Sequence, residues 1–204
     1  MQLAGHAAIL DRPRGARALL VLAHGAGAGM RHPFMAELVA ELAARRIATV
    51  RWEFRYLTEG KRRTPRAEDA EAEVRAVWTA AAKLTKLPRF AGGKSFGGRM
   101  TSRAHAASPL AGARGLVFAG FPLHPAGKPG VERAAHLASA PGPMLFVQGT
   151  RDELAELALL RPVVAALGTR ATLHVIEGAD HGFTRAGNVA AAAAAIADWI
   201  ALHL

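Results

Sequence analysis

Short apolar segments rich in β-branched residues alternate with longer segments of helical periodicity along the whole chain. Apolar runs of this length, bounded by glycine, proline and polar residues, are typical of buried strands. The pattern predicts strands at residues 19–23, 47–52, 89–92, 115–121, 144–148 and 172–176. A further segment near residues 7–10 predicts an antiparallel edge strand.

The segments between the strands place apolar residues three and four positions apart, as one face of a helix requires. They predict helices at residues 33–46, 65–87, 96–107, 153–167 and 189–203, with a short helical piece at 131–138. Regular alternation of strand and helix indicates a doubly wound, mainly parallel sheet with helices on both faces. We therefore expect an α/β fold with about six to seven strands.

Composition limits the class of protein. A chain of 204 residues with 51% hydrophobic and 21% charged positions is expected to form a single globular domain, residues 1–204. The absence of cysteine excludes a thiol nucleophile, a disulfide framework and cysteine-ligated metals. We find no export-signal pattern and no apolar stretch of the about 18 residues that a membrane span needs. A cytoplasmic location and no membrane partner are therefore expected.

The net charge of +10 raises the possibility of an arginine-rich nucleic-acid binder. The basic residues are scattered, however, and only Lys61, Arg62, Arg63 and Arg66 form a dense cluster. This cluster fits either a solvated loop or a contact with an anionic partner. We do not expect a nucleic-acid partner on this evidence.

The segment Gly-Gly-Lys-Ser-Phe-Gly-Gly at residues 92–98 contains the strongest chemical signal. It places Ser95 at the centre of a G-x-S-x-G pattern, after a predicted strand and before a predicted helix. A strand-to-helix turn of this kind exposes a serine hydroxyl to a base, and it is so tight that only glycine fits two residues on either side. An alternative interpretation as a phosphate-binding loop fails because Pro88 stands where that motif needs glycine.

Two further residues follow predicted strands at the same edge of the sheet. Asp152 follows the strand at 144–148, and His181 follows the strand at 172–176. A histidine takes up the serine proton near neutral pH, and a carboxylate orients the histidine. The order Ser95, Asp152, His181 is that of the α/β-hydrolases. Asp152 also fits a helix N-cap, in which case Glu153 would be the substitute acid.

The loop His-Gly-Ala-Gly at residues 24–27 follows the strand expected beside that of Ser95. Small residues let a backbone N–H approach a substrate, so the amides of Ala26 and Phe96 are the candidate oxyanion donors. We interpret His24 as a structural residue that holds this loop.

Other residues near the strand ends are candidates for substrate contact or for a polar rim: Arg31, His32, Arg55 and Tyr56. Lys94 is expected to point away from the pocket, and Asp180 to be a turn residue. The remaining histidines show no ligand spacing, so we expect no metal, and no cofactor motif is complete.

Four motifs together resemble the small α/β-hydrolases called "predicted hydrolases", a group related to dienelactone hydrolases and to the testis-expressed hydrolase-like proteins of animals. They are His-Gly-Ala-Gly-Ala-Gly, Gly-Gly-Lys-Ser-Phe-Gly-Gly-Arg-Met, Phe-Pro-Leu-His-Pro and Phe-Val-Gln-Gly-Thr-Arg-Asp. The resemblance spans residues 17–200 and implies an α/β-hydrolase fold with Ser95, Asp152 and His181 as triad. Dienelactone hydrolases use a cysteine nucleophile, which this chain lacks, so their substrate is not implied.

The connection at residues 122–143 is short where many relatives insert a helical lid, so no lid domain and an open, shallow site are expected. The favoured hypothesis is a serine hydrolase acting on a small carboxylic ester or thioester through an acyl-enzyme on Ser95. A non-catalytic interaction module with the same fold is the alternative, since some members of the wider group serve in protein complexes.

Overall fold

The structure, a computed structural model, describes all residues from 1 to 204. One eight-stranded sheet runs through the molecule in the order β1-β2-β4-β3-β5-β6-β7-β8. The strands are β1 Gln2–Leu3, β2 His6–Asp11, β3 Ala18–Ala23, β4 Ile47–Trp52, β5 Arg89–Lys94, β6 Ala113–Ala119, β7 Met144–Arg151 and β8 Ala171–Asp180. Strands β3 to β8 pair in parallel, whereas β2 is antiparallel to β4 and β1 is antiparallel to β2.

Helices cover both faces of the sheet. They are α1 Pro33–Ala44, α2 Arg55–Thr58, α3 Ala67–Ala81, α4 Phe96–Ala107, α5 Leu157–Ala166 and α6 Asn188–Ala201, with 3₁₀ helices at Glu132–Ser139 and Gly168–Arg170. Helices α1 and α6 pack on one face, and α3, α4 and α5 pack on the other. None of the helices combines the length and apolar character that a membrane crossing requires.

The alternation of side chains along β3 explains the two apolar layers. All six β3 residues are buried, as expected for a central parallel strand covered on both sides. Leu19 and Val21 belong to the core under α3, α4 and α5, whereas Leu20 and Leu22 belong to the core under α1 and α6. The strand therefore packs against both helical layers, and the loop that follows it begins at its carboxyl end.

The predicted doubly wound fold is confirmed, with eight strands instead of six to seven. The segment near 7–10 forms the antiparallel strand β2, and β1 lies outside it as the true edge. Helix α3 is shorter than expected because the chain tightens into turns after Ala81, with the Leu84 N–H donating to the Ala81 carbonyl. Helix α5 starts at Leu157, four residues after the expected position.

Candidate functional site

The three residues predicted to carry the chemistry meet at the carboxyl edge of the sheet. Ser95 directly follows β5, Asp152 directly follows β7 and His181 directly follows β8. Because parallel strands end at the same edge, residues separated by up to 86 positions in sequence come into hydrogen-bond contact.

Ser95 has an unusual backbone conformation, with φ 49° and ψ −118°. A positive φ is unfavourable for a residue with a Cβ, so this is a strained turn held by its surroundings. The Ser95 N–H donates to the Ala119 carbonyl over 3.2 Å. A Cβ at either Gly93 or Gly97 would collide with the carbonyl oxygen of Ala23. The turn therefore requires glycine on both sides of the serine, as the sequence pattern predicts.

A continuous hydrogen-bond chain joins the three side chains. The Nε2 atom of His181 lies 2.8 Å from Ser95 Oγ, and its Nδ1 atom lies 2.9 and 2.8 Å from the two carboxylate oxygens of Asp152. A carboxylate only accepts, so Nδ1 carries the proton and Nε2 accepts from the serine hydroxyl. This tautomer is the one a general base needs in order to take up the serine proton.

Asp152 is held in place by its neighbours. Its side chain is fully buried, it accepts from the Leu154 N–H over 2.8 Å, and it accepts from Gln148 Nε2 over 2.5 Å. Gln148, itself buried, accepts from the Phe121 N–H over 2.9 Å. The N-cap of α5 is Glu156, so Asp152 does not cap that helix, and Glu153 is exposed without a bond to His181.

The loop after β3 is fixed by residues that follow β4. The Phe54 N–H donates to His24 Nε2 over 3.0 Å, and His24 Nδ1 donates to the Gly25 carbonyl over 2.7 Å. The Gly27 N–H donates to the Tyr56 hydroxyl over 2.9 Å. Burial lowers the pKa of His24, which suits this neutral role. His24 thus holds the loop, as expected, and the amide of Ala26 takes part in no hydrogen bond.

Lys94 does not point away from the pocket, which corrects the expectation from sequence. It is buried and lines a cavity beside Ser95, because β5 continues to residue 94 and turns this side chain under the His181 loop. Its Nζ donates to the His181 carbonyl over 2.6 Å and lies 5.6 and 5.5 Å from the ring centres of Phe34 and Phe183. Burial lowers the pKa of Lys94 to about 8, against the attraction of Asp152 and Asp180.

Two open cavities flank Ser95. The first, here called the α1 cavity, has a volume of about 280 Å³ and is lined by Phe34 and Met35 of α1 together with Ser95 and His181. The second, here called the α4 cavity, has a volume of about 320 Å³ and is lined by Ser95 with Phe96, Arg99 and Met100 of α4. Both are of a size that suits small groups on either side of a reacting bond.

The structure brings only part of the expected substrate-contact set to these cavities. His32 lines the α1 cavity, where its Nδ1 also accepts from the Phe34 N–H over 3.3 Å and caps α1. Arg31 is exposed and lines neither cavity. Arg55 and Tyr56 line a separate surface cleft of about 630 Å³. Tyr56 lines neither cavity beside Ser95, and it is linked to the site by the hydrogen bond that its hydroxyl accepts from the Gly27 N–H.

The four basic side chains of the cluster, Lys61, Arg62, Arg63 and Arg66, line that cleft, whereas Thr64 and Pro65 between them also line the α4 cavity. Lys61 pairs with Glu59 over 2.7 Å and Arg66 pairs with Asp69 over 3.1 Å, all at the surface. The cluster is therefore largely a solvated loop. Asp180 accepts from the backbone and hydroxyl of Thr184, as expected for a turn residue.

A second serine and histidine pair lies deeper in the molecule. Ser102 Oγ is 2.7 Å from His136 Nε2 and 2.9 Å from the Arg99 carbonyl. Ser102 is fully buried and lines neither cavity, and no carboxylate contacts His136. Burial, with help from Arg103 and Arg99, lowers the pKa of His136 to about 4. The pair joins α4 to the 3₁₀ helix at Glu132–Ser139.

A family model described as an alpha/beta hydrolase domain matches residues 16–201. The chain belongs to the α/β-hydrolase family. The match includes every strand from β3 onward and all the residues of the proposed site. The resemblance noted in the sequence is thereby confirmed.

Solved structures support the same assignment of fold. A dienelactone hydrolase from Anabaena variabilis superposes with a TM-score of 0.81 at 21% identity, covering 97% of this chain and 91% of that chain. Est1E from Butyrivibrio proteoclasticus, with ferulic acid bound, gives a TM-score of 0.81 at 16% identity, covering 99% and 97%. An α/β serine hydrolase without lid from Xanthomonas campestris gives 0.74 at 20% identity, covering 94% and 88%.

Four residues in or beside the candidate site were given no role by sequence reasoning, or were expected to point elsewhere: Lys94, Arg99, Arg133 and Gln148. Gln148 lies within one of the quoted motifs, so its position signalled importance but not its contact. The side chains of Arg99 and Arg133 meet at the α4 cavity from segments distant in sequence, and no local pattern reveals that meeting.

Proposed function

We propose that this α/β-hydrolase is a serine hydrolase of small carboxylic esters or thioesters, with Ser95 as nucleophile. The hydrogen-bond chain from Ser95 through His181 to Asp152 carries the proposal. The three residue types, the two hydrogen-bond distances and the tautomer of His181 are those that acyl transfer needs. The position of Ser95 between two open cavities supports a substrate with a group on each side of the reacting carbonyl.

The reaction begins when Ser95 Oγ attacks the carbonyl carbon and its proton passes to His181 Nε2. Asp152 stabilises the resulting imidazolium without taking the proton itself. The new C–O bond converts the carbonyl oxygen into an oxyanion, which accepts from the N–H groups of Ala26 and Phe96. Phe96 is the first residue of α4, so its N–H has no acceptor within the helix.

The second half releases the product. The bond to the alcohol or thiol breaks, and the leaving group takes the proton from His181. Water then attacks the acyl-enzyme, gives a proton to His181 and forms a second tetrahedral oxyanion. Its collapse frees the carboxylic acid and returns the proton to Ser95. No cofactor enters any of these steps.

Two related structures are consistent with this proposal. The Xanthomonas campestris protein is a serine hydrolase without lid, and the Est1E structure contains a carboxylic acid, ferulic acid. A carboxylic acid is the product class that ester cleavage generates. These proteins share the fold with this chain at low identity, so they inform the class of chemistry and not the substrate.

A fluorophosphonate probe together with short p-nitrophenyl esters tests the proposal. The wild-type protein is expected to be labelled and to hydrolyse the acetate or butyrate ester. Ser95→Ala removes the attacking oxygen and is expected to abolish labelling and lower kcat by about a thousandfold or more. Ser102→Ala is the matched control, since it removes the other serine paired with a histidine and is expected to keep labelling.

Three results would contradict the proposal. Labelling that disappears in Ser102→Ala and persists in Ser95→Ala would show that Ser102, and not Ser95, is the nucleophile. Wild-type protein that is folded by circular dichroism yet neither labelled nor active would favour the non-catalytic interaction module. Activity that survives in His181→Gln would show that His181 is not the general base.

A further inference from the structure

The α4 cavity contains two arginines without acidic partners. Arg99 and Arg133 both line this cavity beside Ser95, and none of its lining residues is acidic. Neither arginine takes part in a salt bridge. The Nε atom of Arg99 is buried and has no hydrogen-bond partner. A partly buried cation in this state is costly unless something else compensates the charge.

Glu71 is the acid whose charge acts on Arg99, and it forms its salt bridges with other arginines. Glu71 accepts from Arg103 Nε over 2.6 Å and lies 3.8 Å from Arg75. Two other arginines share the charge of Glu71, so it offsets the charge of Arg99 only in part, and the potential beside α4 stays positive. The same potential contributes to the lowered pKa of His136.

Helix geometry directs Arg99 toward the reacting serine. Arg99 lies four residues after Ser95, and its N–H donates to the Ser95 carbonyl over 3.0 Å. Residues four apart share one face of a helix, and helical side chains tilt toward the N-terminus. Arg99 thus extends along α4 toward Ser95 rather than away from it.

Arg133 lines the α4 cavity from a different element. It lies in the 3₁₀ helix Glu132–Ser139, which the Ser102 to His136 hydrogen bond fastens to α4. Burial lowers the pKa of Arg99 to about 10, with repulsion from Arg133 and Arg103 adding to the shift. Two cations held against mutual repulsion are stabilised when an anion lies between them.

We infer that the α4 cavity binds a carboxylate of the substrate, so that the preferred ester or thioester carries a second, ionised carboxyl group near the bond that is cleaved. The planar guanidinium of Arg99 offers two parallel N–H donors to such a group, and Arg133 supplies a further charge. This inference rests on the proposed function of Ser95, and it assigns to Arg99 and Arg133 a role in substrate selection.

Matched pairs of substrates test the inference. In one pair the carboxylate is on the acyl side, p-nitrophenyl hemiglutarate against p-nitrophenyl valerate. In the other it is on the alcohol side, 4-acetoxybenzoate against its neutral methyl ester. The wild-type protein is expected to show a higher kcat/KM for the anionic member of at least one pair, and this preference is expected to fall as salt is added.

Arginine-to-glutamine variants locate the source of that preference. Arg99→Gln and Arg133→Gln are each expected to reduce the ratio of anionic to neutral kcat/KM by about tenfold or more, mainly through KM. Arg14→Gln is the matched control, because it removes the same charge from an exposed loop at the amino ends of the parallel strands, whereas Ser95 lies at their carboxyl ends. Equal rates within both pairs, or a preference that survives in both cavity variants, would overturn the inference.

A binding measurement separates this inference from the proposed function. If no ester of either kind is cleaved, the nucleophile assignment has failed, and calorimetry with Ser95→Ala still decides the carboxylate site. Monomethyl glutarate is expected to bind more tightly than methyl valerate, and to lose that advantage when Arg99→Gln is added. Equal binding of the two compounds would overturn the carboxylate site independently of catalysis.

Discussion

At the scale of single residues, the proposed acid depends on a neighbour that takes no part in the reaction. Gln148 donates to Asp152 and accepts from the Phe121 N–H, so one buried amide fixes a carboxylate and the loop after β6 together. Sequence reasoning selected Ser95, Asp152 and His181, which the structure brings into hydrogen-bond contact, because residue type and strand-end position are local signals. Gln148 and Lys94 escaped it because their contacts depend on where side chains point across the sheet.

Replacing Gln148 with leucine is expected to leave the Asp152 oxygen and the Phe121 N–H without their buried partner. The free energy of unfolding should fall by about 1–3 kcal/mol, and kcat should fall because Asp152 no longer holds His181 in one orientation. Urea denaturation and ester kinetics measure both. Trp78→Phe is the control, since it loses the 3.1 Å bond to the Ala111 carbonyl far from the site. Equal losses of kcat in the two variants would contradict the positioning role.

At the scale of elements, the strand–turn–helix unit around Ser95 was the most predictable part of the chain. The helix predicted at residues 96–107 is observed as Phe96–Ala107. Its start is set by the glycine turn, which sequence shows directly. The ends of α3 and α5 were less predictable, because contacts beyond the local sequence decide them. The Leu154 N–H, for example, donates to the Asp152 carboxylate, and this bond shapes the connection that precedes α5.

Gly97→Ala tests how tightly that unit is packed. The added Cβ would press on the carbonyl oxygens of Ala23 and His24, and backbone at the end of a central strand cannot yield. The expected result is a loss of stability well above the about 1–2 kcal/mol that a positive φ alone costs an alanine. Gly127→Ala provides that reference, because its φ is +68° and nothing lies within 4 Å of the new Cβ. Comparable melting temperatures for the two variants would refute the close packing.

At the scale of the whole molecule, the topology followed from the alternation of strands and helices, but the proposed substrate-binding surface did not. The strand order brings the proposed reacting groups to one edge of the sheet whatever the loops contain. The α4 cavity, in contrast, is assembled from several segments that are distant in sequence: α4, the connection at residues 122–143, residues 64–67 at the start of α3, and single residues of two further loops. Its charge depends on which acid pairs with which arginine, and pairing of that kind is a property of the folded molecule.

Two buried histidines, His24 and His105, and the partly buried His136 should make the stability of the folded protein sensitive to acid. Burial lowers the pKa of His24, His105 and His136, the last to about 4. Between that value and the ordinary pKa near 6.5, the unfolded chain binds more protons than the folded one. The free energy of unfolding is therefore expected to fall as pH drops through this window.

Urea denaturation at pH 7 and pH 5 measures this effect. His136→Asn is expected to lose less stability than the wild type over that interval, because one of the three groups is gone. His174→Asn, which changes an exposed histidine on β8, is the control and should keep the wild-type dependence. An unchanged slope in His136→Asn would show that this histidine does not contribute.

The proposed reacting groups and the proposed substrate-binding arginines lie on different elements, and this separation affects how the specificity of such a protein can change. The proposed reacting groups directly follow strands of the sheet. His24 and Tyr56 fix the loop after β3 by hydrogen bonds, and Gln148 fixes Asp152. Arg133 belongs instead to a peripheral connection that contributes no strand. Exchange of that connection would therefore change the substrate preference without changing the proposed reacting groups. The segment is a suitable place to introduce a new specificity.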